Sequence, residues 1–311
     1  MAFFEAVLDI VTSNATYTNA AVFAALLLFA ASGEWIAERA GTINISVEGM
    51  LLAGAFTSAV GFDITGSVAV AMGCGAIGGM IIAAVQAEMS HRLAADQFVV
   101  GLTLNILVLG LAGFLDREVE TRTERASVFE VPLLSDIPLF GEALFGQRWP
   151  FYLLYVLVPV SWWLMFRTRW GLEVRSAGED PQAADVSGID VNRIRRQTIY
   201  YTGFTSGLGG AFLIFVSVGV FEETAVSGRG FIAIAAVIFG GWTLRGTVAG
   251  CILFAFALSA RLSLQVLGYD QVNSELLQAS PFLITLVAMA IFARRVRPPA
   301  ALAQPFIRGL R

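Results

Sequence analysis

Runs of about 20 mostly apolar residues recur along this chain between short polar stretches, and each run has the length of a helix that crosses a bilayer. Clear runs cover 18–36, 66–88, 98–115, 150–166, 198–220, 246–267 and 281–293, the last leading straight into Arg294 and Arg295. Two more, 49–61 and 230–241, reach only about half to two-thirds of a crossing at about 1.5 Å per residue. The expectation is an all-α, polytopic transmembrane bundle of about eight to ten spans, short or broken helices included, forming one membrane domain over 1–311. Composition closes off the alternative. Of the residues, 57% are hydrophobic and 14% charged, against roughly 25% charged in a soluble domain. No soluble core could hide that much apolar surface.

The chemistry of an enzyme is missing. There is no phosphate-cradling GxxxxGK[ST] loop, no HExxH and no CxxC. The only histidine, His91, sits beside Arg92 in what reads as a polar loop, so a metal site or a Ser-His-Asp set has little to build on. Cys74 and Cys251 lie in apolar, glycine-containing runs and read as small packing residues. Glu34, Glu38 and Glu88 read as lying near span ends, which argues against a proton-relay carrier. The N-terminus lacks a basic start and a small-residue cleavage site, so no cleaved signal peptide is expected.

Arginine sets the orientation, and all 20 basic residues are Arg. Segment 167–197 holds six of them and the tail 294–311 five, so both are expected in the cytoplasm, with 88–97 on the same side. The N-terminus, the turn at Glu222–Glu223 and 268–280 then fall outside. Segment 116–149 also counts as outside despite its four arginines. It is long and richer still in carboxylates, with seven of them, and long loops can cross regardless of charge. Gly75/Gly79, Gly203/Gly207 and Gly246/Gly250 each place two glycines on one helix face and read as internal packing seams.

Three segments and one scatter of polar groups stand out. Gly41–Gly49 alternates Ile43, Ile45 and Val47 with Asn44, Ser46 and Glu48, a period of two unlike a helix, between a full span and a short one. Non-helical backbone at membrane depth survives only inside protein or along a wet cavity, so Asn44, Ser46 and Glu48 are candidates for a translocation path. In the second half Gly228 and Gly230 precede the other short apolar helix and are candidates for the same reason. Within a span, Asn105 has the largest unmet hydrogen-bonding demand, and Thr103 lies beside it; Thr202, Thr205 and Ser206 read as bonded to their own helix. The third segment, Gly178–Gly188, is a design for a two-turn helix. Asp180 is its N-cap, Pro181 its first residue and Gly188 its left-handed terminator. So short a helix is marginal alone in water and needs a partner surface.

These blocks resemble the permease subunits of bacterial nucleoside and simple-sugar ABC importers, within the broader group of branched-chain amino acid and ribose permeases. Gly33 through Met50 (GEWIAERAGTINISVEGM) is similar to the family's GE-ISERAG-NIGIEGMM block, and Ala95 through Asn105 (ADQFVVGLTLN) to ADQ-V-G-ALN. GLEVRSAGEDPQAADVSGI, from Gly171 to Ile189, looks like GL-LRA-GENP-AA---GI, and Gly228 through Gly240 looks like GRGFIALAAVIFG. Asp180 stands where the pattern has Asn, and Trp242–Gly246 departs slightly from the family's W-P-G form.

The resemblance implies a fold like that of type II importers, in the cytoplasmic membrane. It implies partners: an ATPase that uses ATP and Mg2+, a second permease, and an extracytoplasmic binding lipoprotein. Membrane lipid surrounds such a subunit, and nucleic acid has no role. This chain would bind no cofactor. Gly178, Glu179, Asp180, Pro181, Ala183, Ala184 and Gly188 would form the coupling helix, and the 41–50 and 228–240 blocks would border the path. A nucleoside is the expected cargo, with a simple sugar such as ribose or galactose as the alternative. An ion-coupled carrier working alone is the remaining rival.

Overall fold

The computed structural model describes residues 12–119, 121–138, 140–266 and 297–307, the side chains of 264–266 excepted. The helices are α1 (Asn14–Arg39), α2 (Val47–Thr65), α3 (Val68–His91), α4 (Gln97–Glu118), α5 (Gly141–Phe145), α6 (Leu153–Arg167), α7 (Arg169–Glu179), α8 (Pro181–Val186), α9 (Val191–Phe212), α10 (Arg229–Phe239) and α11 (Leu244–Val266). A 3-10 turn at Trp149–Tyr152 leads into α6, and α9 continues as a π-helical turn over Leu213–Val218. No strand forms among the described residues. Seven helices there are long and apolar enough to span a membrane, and α10 is the short one. The all-α polytopic expectation therefore holds. The run at 281–293 lies outside the described residues.

One expectation needs correcting. The apolar run 49–61 looked truncated, yet α2 has 19 residues. Its flanks, Val47-Glu48 and Phe62-Asp63-Ile64-Thr65, carry polar side chains that depress hydropathy without breaking the helix, and Gly66 ends it at a φ of +65°. The interruption lies before α2, over residues 41–46.

Helix α9 is the centre, packed against α1, α2 and α3. Two of the glycine pairs face each other across the α3–α9 contact. A Cβ added to Gly203 would lie 2.7 Å from Gly79 O, and one on Gly79 would lie 2.7 Å from Gly207 Cα. Both pairs are thus internal seams, bringing backbone against backbone where lipid offers no hydrophobic drive for association. Gly246 and Gly250 do the same between α10 and α11, where a Cβ on Gly250 would sit 3.0 Å from Ala236 O. Cys251 is buried, Cys74 is half-buried and lies against Gly61, and both are free thiols. Ile77 and Ile81 on α3, Val99, Ile106 and Phe114 on α4, and Val156 and Trp163 on α6 are exposed, as lipid- or partner-facing residues must be.

The bundle has two distinct ends. At one, Asp63 accepts from Arg122 N, Thr123 donates to Gly219 O, and Arg125 donates to Ser217 O and Val218 O. Residues 122–125 of the arginine-containing loop are therefore at the same end as the turn after α9. At the other end lie Arg39–Gly41, His91, α7, α8 and residues 301–306. The sequence count assigns these two ends to opposite sides of the membrane.

Candidate functional site: two interrupted crossings joined at Glu48

After α1 the chain enters the bundle without helical hydrogen bonds, and side chains supply what the helix does not. Asn44 N donates to Glu34 Oε1 at 2.9 Å, and Ile43 N to Gln97 Oε1 at 2.9 Å. Asn105 Nδ2 donates to Ile45 O at 2.9 Å while its Oδ1 accepts from Gly49 N at 2.8 Å. Asn44 Oδ1 accepts from Ser46 Oγ at 2.6 Å and from Ser46 N at 3.2 Å. Gln97 and Asn105 are eight residues apart on α4, so the linker climbs about 12 Å along that helix before α2 begins. Gly101, midway between them, lets it lie close: a Cβ there would be 3.0 Å from Ser46 N. The α4 block of the sequence is one face, 97–101–105, built to hold an unwound strand.

Thr103 is not on that face. Its hydroxyl donates to Val99 O at 2.7 Å and the residue is exposed on the outer side of α4. Asn44 and Ser46, read from the sequence as facing a path, are fully buried and brace the linker backbone. Thr202 and Thr205 donate to Thr198 O and Thr202 O of their own helix, as expected. Ser206 Oγ is buried and without a partner among the described residues.

The second interruption mirrors the first. From Gly219 the chain turns back from the far end of the bundle, and α10 begins deep within it, where the Arg229 guanidinium lies over the Phe23 ring at 5.8 Å, nine residues into α1. The two interruptions meet at one side chain. Glu48, in the first turn of α2, accepts from Gly228 N through Oε1 at 2.6 Å and from Gly230 N through Oε2 at 2.7 Å. A carboxylate at a helix N-terminus satisfies the orphan N–H groups and complements the positive end of the dipole. Gly230 permits the approach, since a Cβ there would lie 2.6 Å from Glu48 N. Glu48, Asn105, Gly228 and Gly230 are thus brought together with Asn44 and Ser46, although they come from three distant parts of the chain.

The sequence reading falls short at two places. Glu34 and Glu38 do lie near the end of a span, since α1 ends at Arg39, but both are fully buried because the α10–α11 turn closes over them. Trp35 Nε1 donates to Trp242 O at 2.9 Å, and Trp242 Nε1 donates to Glu38 Oε2. Glu34 Oε2 and Glu38 Oε1 have no partner among the described residues. His91 is not a loop residue. It ends α3, buried, with Nε2 2.9 Å from Thr42 Oγ1, because Gln86, Ser90 and His91 turn inward onto the linker. The i,i+4 spacing of Glu34 and Glu38 around Trp35 was the available signal for the first of these.

Segment 180–188 has the geometry its sequence implies. Asp180 accepts from Gln182 N at 3.1 Å and Ala183 N at 2.9 Å. Pro181 opens α8, and Gly188 follows at a φ of +91°. Only Ala184 is buried; Val186 is 89% exposed, an apolar side chain left in water on a helix too short to persist alone. Gly178 and Glu179 end α7, and Glu179 lies 4.0 Å from Arg39. Beside α8, a polar cleft of about 450 Å3 is lined by His91, Arg92, Asp185, Asp190, Asn192, Arg196 and Phe306.

Residues 16–289 match the family described as branched-chain amino acid transport system / permease component. Over 297 residues the chain is 33% identical to the nucleoside ABC transporter permease protein NupC of Lactococcus lactis subsp. cremoris, covering 91% of this chain and 93% of that one. The guanosine ABC transporter permease protein NupQ of Bacillus subtilis is 35% identical over 309 residues, 93% and 95% of the two chains. The fructose import permease protein FrcC of Rhizobium meliloti is 28% identical over 254 residues, 79% of this chain and 68% of that protein.

Proposed function

This chain belongs to the branched-chain amino acid transport system permease family, a multi-pass subunit of an ABC importer in the cytoplasmic membrane, and we propose that its cargo is a nucleoside. The observation that carries this is the end-to-end match to two nucleoside permeases, both above 30% identity and above 90% of each chain. A simple sugar is the second reading, favoured by the fructose permease relative.

The site supports an alternating-access mechanism. Helix α8, with its capped turn and bare Val186, is the docking element for a separate ATPase, which handles ATP and Mg2+. Cassette closure moves α8 and α7. The unwound linker 41–46 and the half-helix α10 hinge about Glu48, because bonds from side chains rearrange more readily than helical ladders. Gly228, Gly230, Glu48 and the α4 face at Asn105 border the path. Thr103, exposed on α4, reaches it only across an interface with a second permease, the pairing we assign to this subunit. A binding lipoprotein delivers the solute from outside.

The test is uptake of radiolabelled guanosine by proteoliposomes holding the complete importer, with competition by unlabelled nucleosides and by fructose or ribose. Competition by nucleosides alone supports the reading. Competition by sugars alone transfers it to the second.

A further inference from the structure

The tail segment 301–306 is stitched into the cytoplasmic end more thoroughly than a loop end needs to be. Ala301 N donates to Gly178 O at 3.0 Å, and Ala303 N to Gly41 O at 3.1 Å. Asn192 Nδ2 donates to Phe306 O at 3.2 Å. At the centre is Arg195, a fully buried cation on α9. Its Nε donates to Ala40 O at 3.0 Å, Nη1 to Gln304 O at 2.6 Å and Nη2 to Ala301 O at 3.4 Å. Among the described residues no carboxylate pairs with it. A buried guanidinium held by three carbonyls is expensive unless its geometry is needed, and its fork fixes those carbonyls relative to one another.

The tail segment joins two places that transport must connect. Gly178 lies two residues before the Asp180 cap of α8. Ala40–Gly41 is the start of the unwound linker. Directly between them lie the partly exposed Arg39–Glu179 ion pair, stretched to 4.0 Å and worth little, and a close van der Waals approach, in which a Cβ on Gly178 would sit 3.1 Å from Gly41 N. Such a contact can push but cannot pull. The strap at 301–306 has a hydrogen bond to each side, so it transmits displacement both ways.

We infer that residues 301–306, clasped by Arg195, form a strap that relays movement of the coupling segment to the 41–46 linker, with Arg195 as its positioning residue. This rests on the coupling role proposed above for α8. The complete importer is prepared with Arg195→Gln, with Arg195→Lys, and with the chain truncated after residue 296. Three quantities are read: ATPase co-purifying with the permease, ATP turnover, and guanosine taken up per ATP hydrolysed.

The strap predicts that the truncation and Arg195→Gln keep ATPase binding and turnover within about twofold while uptake per ATP falls about tenfold, the range of a typical coupling energy. Arg195→Lys, which keeps the charge but not the fork, falls between. Unchanged uptake per ATP in the truncated importer overturns the inference, even if its melting temperature drops. Loss of ATPase binding in the truncation overturns it too, since the tail would then be a docking surface. An Ala183→Trp change on α8 separates the two ideas: if it leaves ATPase binding and uptake intact, the coupling role of α8 fails, whatever the strap variants do.

Discussion

The α3–α9 seam and the Glu48 joint lie in one bundle and solve opposite problems. The seam is glycine against backbone: Gly75 and Gly79 meet Gly203 and Gly207 with no room for a methyl group. The joint is polar, with unwound backbone held by Glu34, Gln97, Asn105 and Glu48. A seam built from shape is stiff, because any displacement costs contact along its whole length. A joint built from a few charged or amide groups has discrete bonds that can be exchanged. The permease thus keeps a rigid frame around α9 and concentrates its freedom where two crossings are interrupted.

The comparison breaks first at the seam. Gly207→Leu puts a branched side chain where a Cβ alone would lie 2.9 Å from Ala76 Cα. The expected loss is about 3 kcal/mol or more, read as a drop in melting temperature of the purified protein and in membrane yield. A variant as stable as the wild type would mean that the seam opens freely. Next is the joint. Glu48→Ala leaves Gly228 N and Gly230 N without their acceptor, a cost of about 1–3 kcal/mol for each buried group. Uptake should fall with it, whereas Glu48→Gln, which keeps one oxygen acceptor, should lose about half as much stability. Equal losses in Ala and Gln would show that charge rather than acceptor count holds the joint.

Asn105→Leu removes one donor and one acceptor from the linker and should cost about 2 kcal/mol. Its neighbour Thr103→Val, on the exposed face and bonded to its own helix, should change stability by less than about 0.5 kcal/mol. If uptake nonetheless falls in Thr103→Val, the outer face of α4 borders the path in the assembled importer. If both stability and uptake are unchanged, Thr103 leaves the set of path residues.

Much of this architecture was legible because each feature has a local cause. Apolar length gave the crossings, the period-two pattern gave the unwound linker as far as residue 46, its last members Val47 and Glu48 already lying in α2, and Asp180, Pro181 and Gly188 gave α8 with its cap and terminator. What stayed hidden depends on contacts distant in sequence. Asn44 and Ser46 alternate as a cavity lining would, and only the fold shows them turned onto the backbone. The burial of Glu34 and Glu38 depends on Trp242, some two hundred residues away, and the role of Arg195 on the tail. The spacing of Gln97, Gly101 and Asn105 was a helical face in plain view, missed because glycine carries no polarity to count.

The central claim is that this bundle has no engine of its own and moves its cargo on work received through α8. Guanosine uptake should be measured in two sets of proteoliposomes, one with this chain alone under imposed proton and sodium gradients, the other with the complete importer and ATP on the cassette side. The account predicts accumulation only in the second set, abolished when the ATPase is omitted. Accumulation by the chain alone, driven by either gradient, would contradict it.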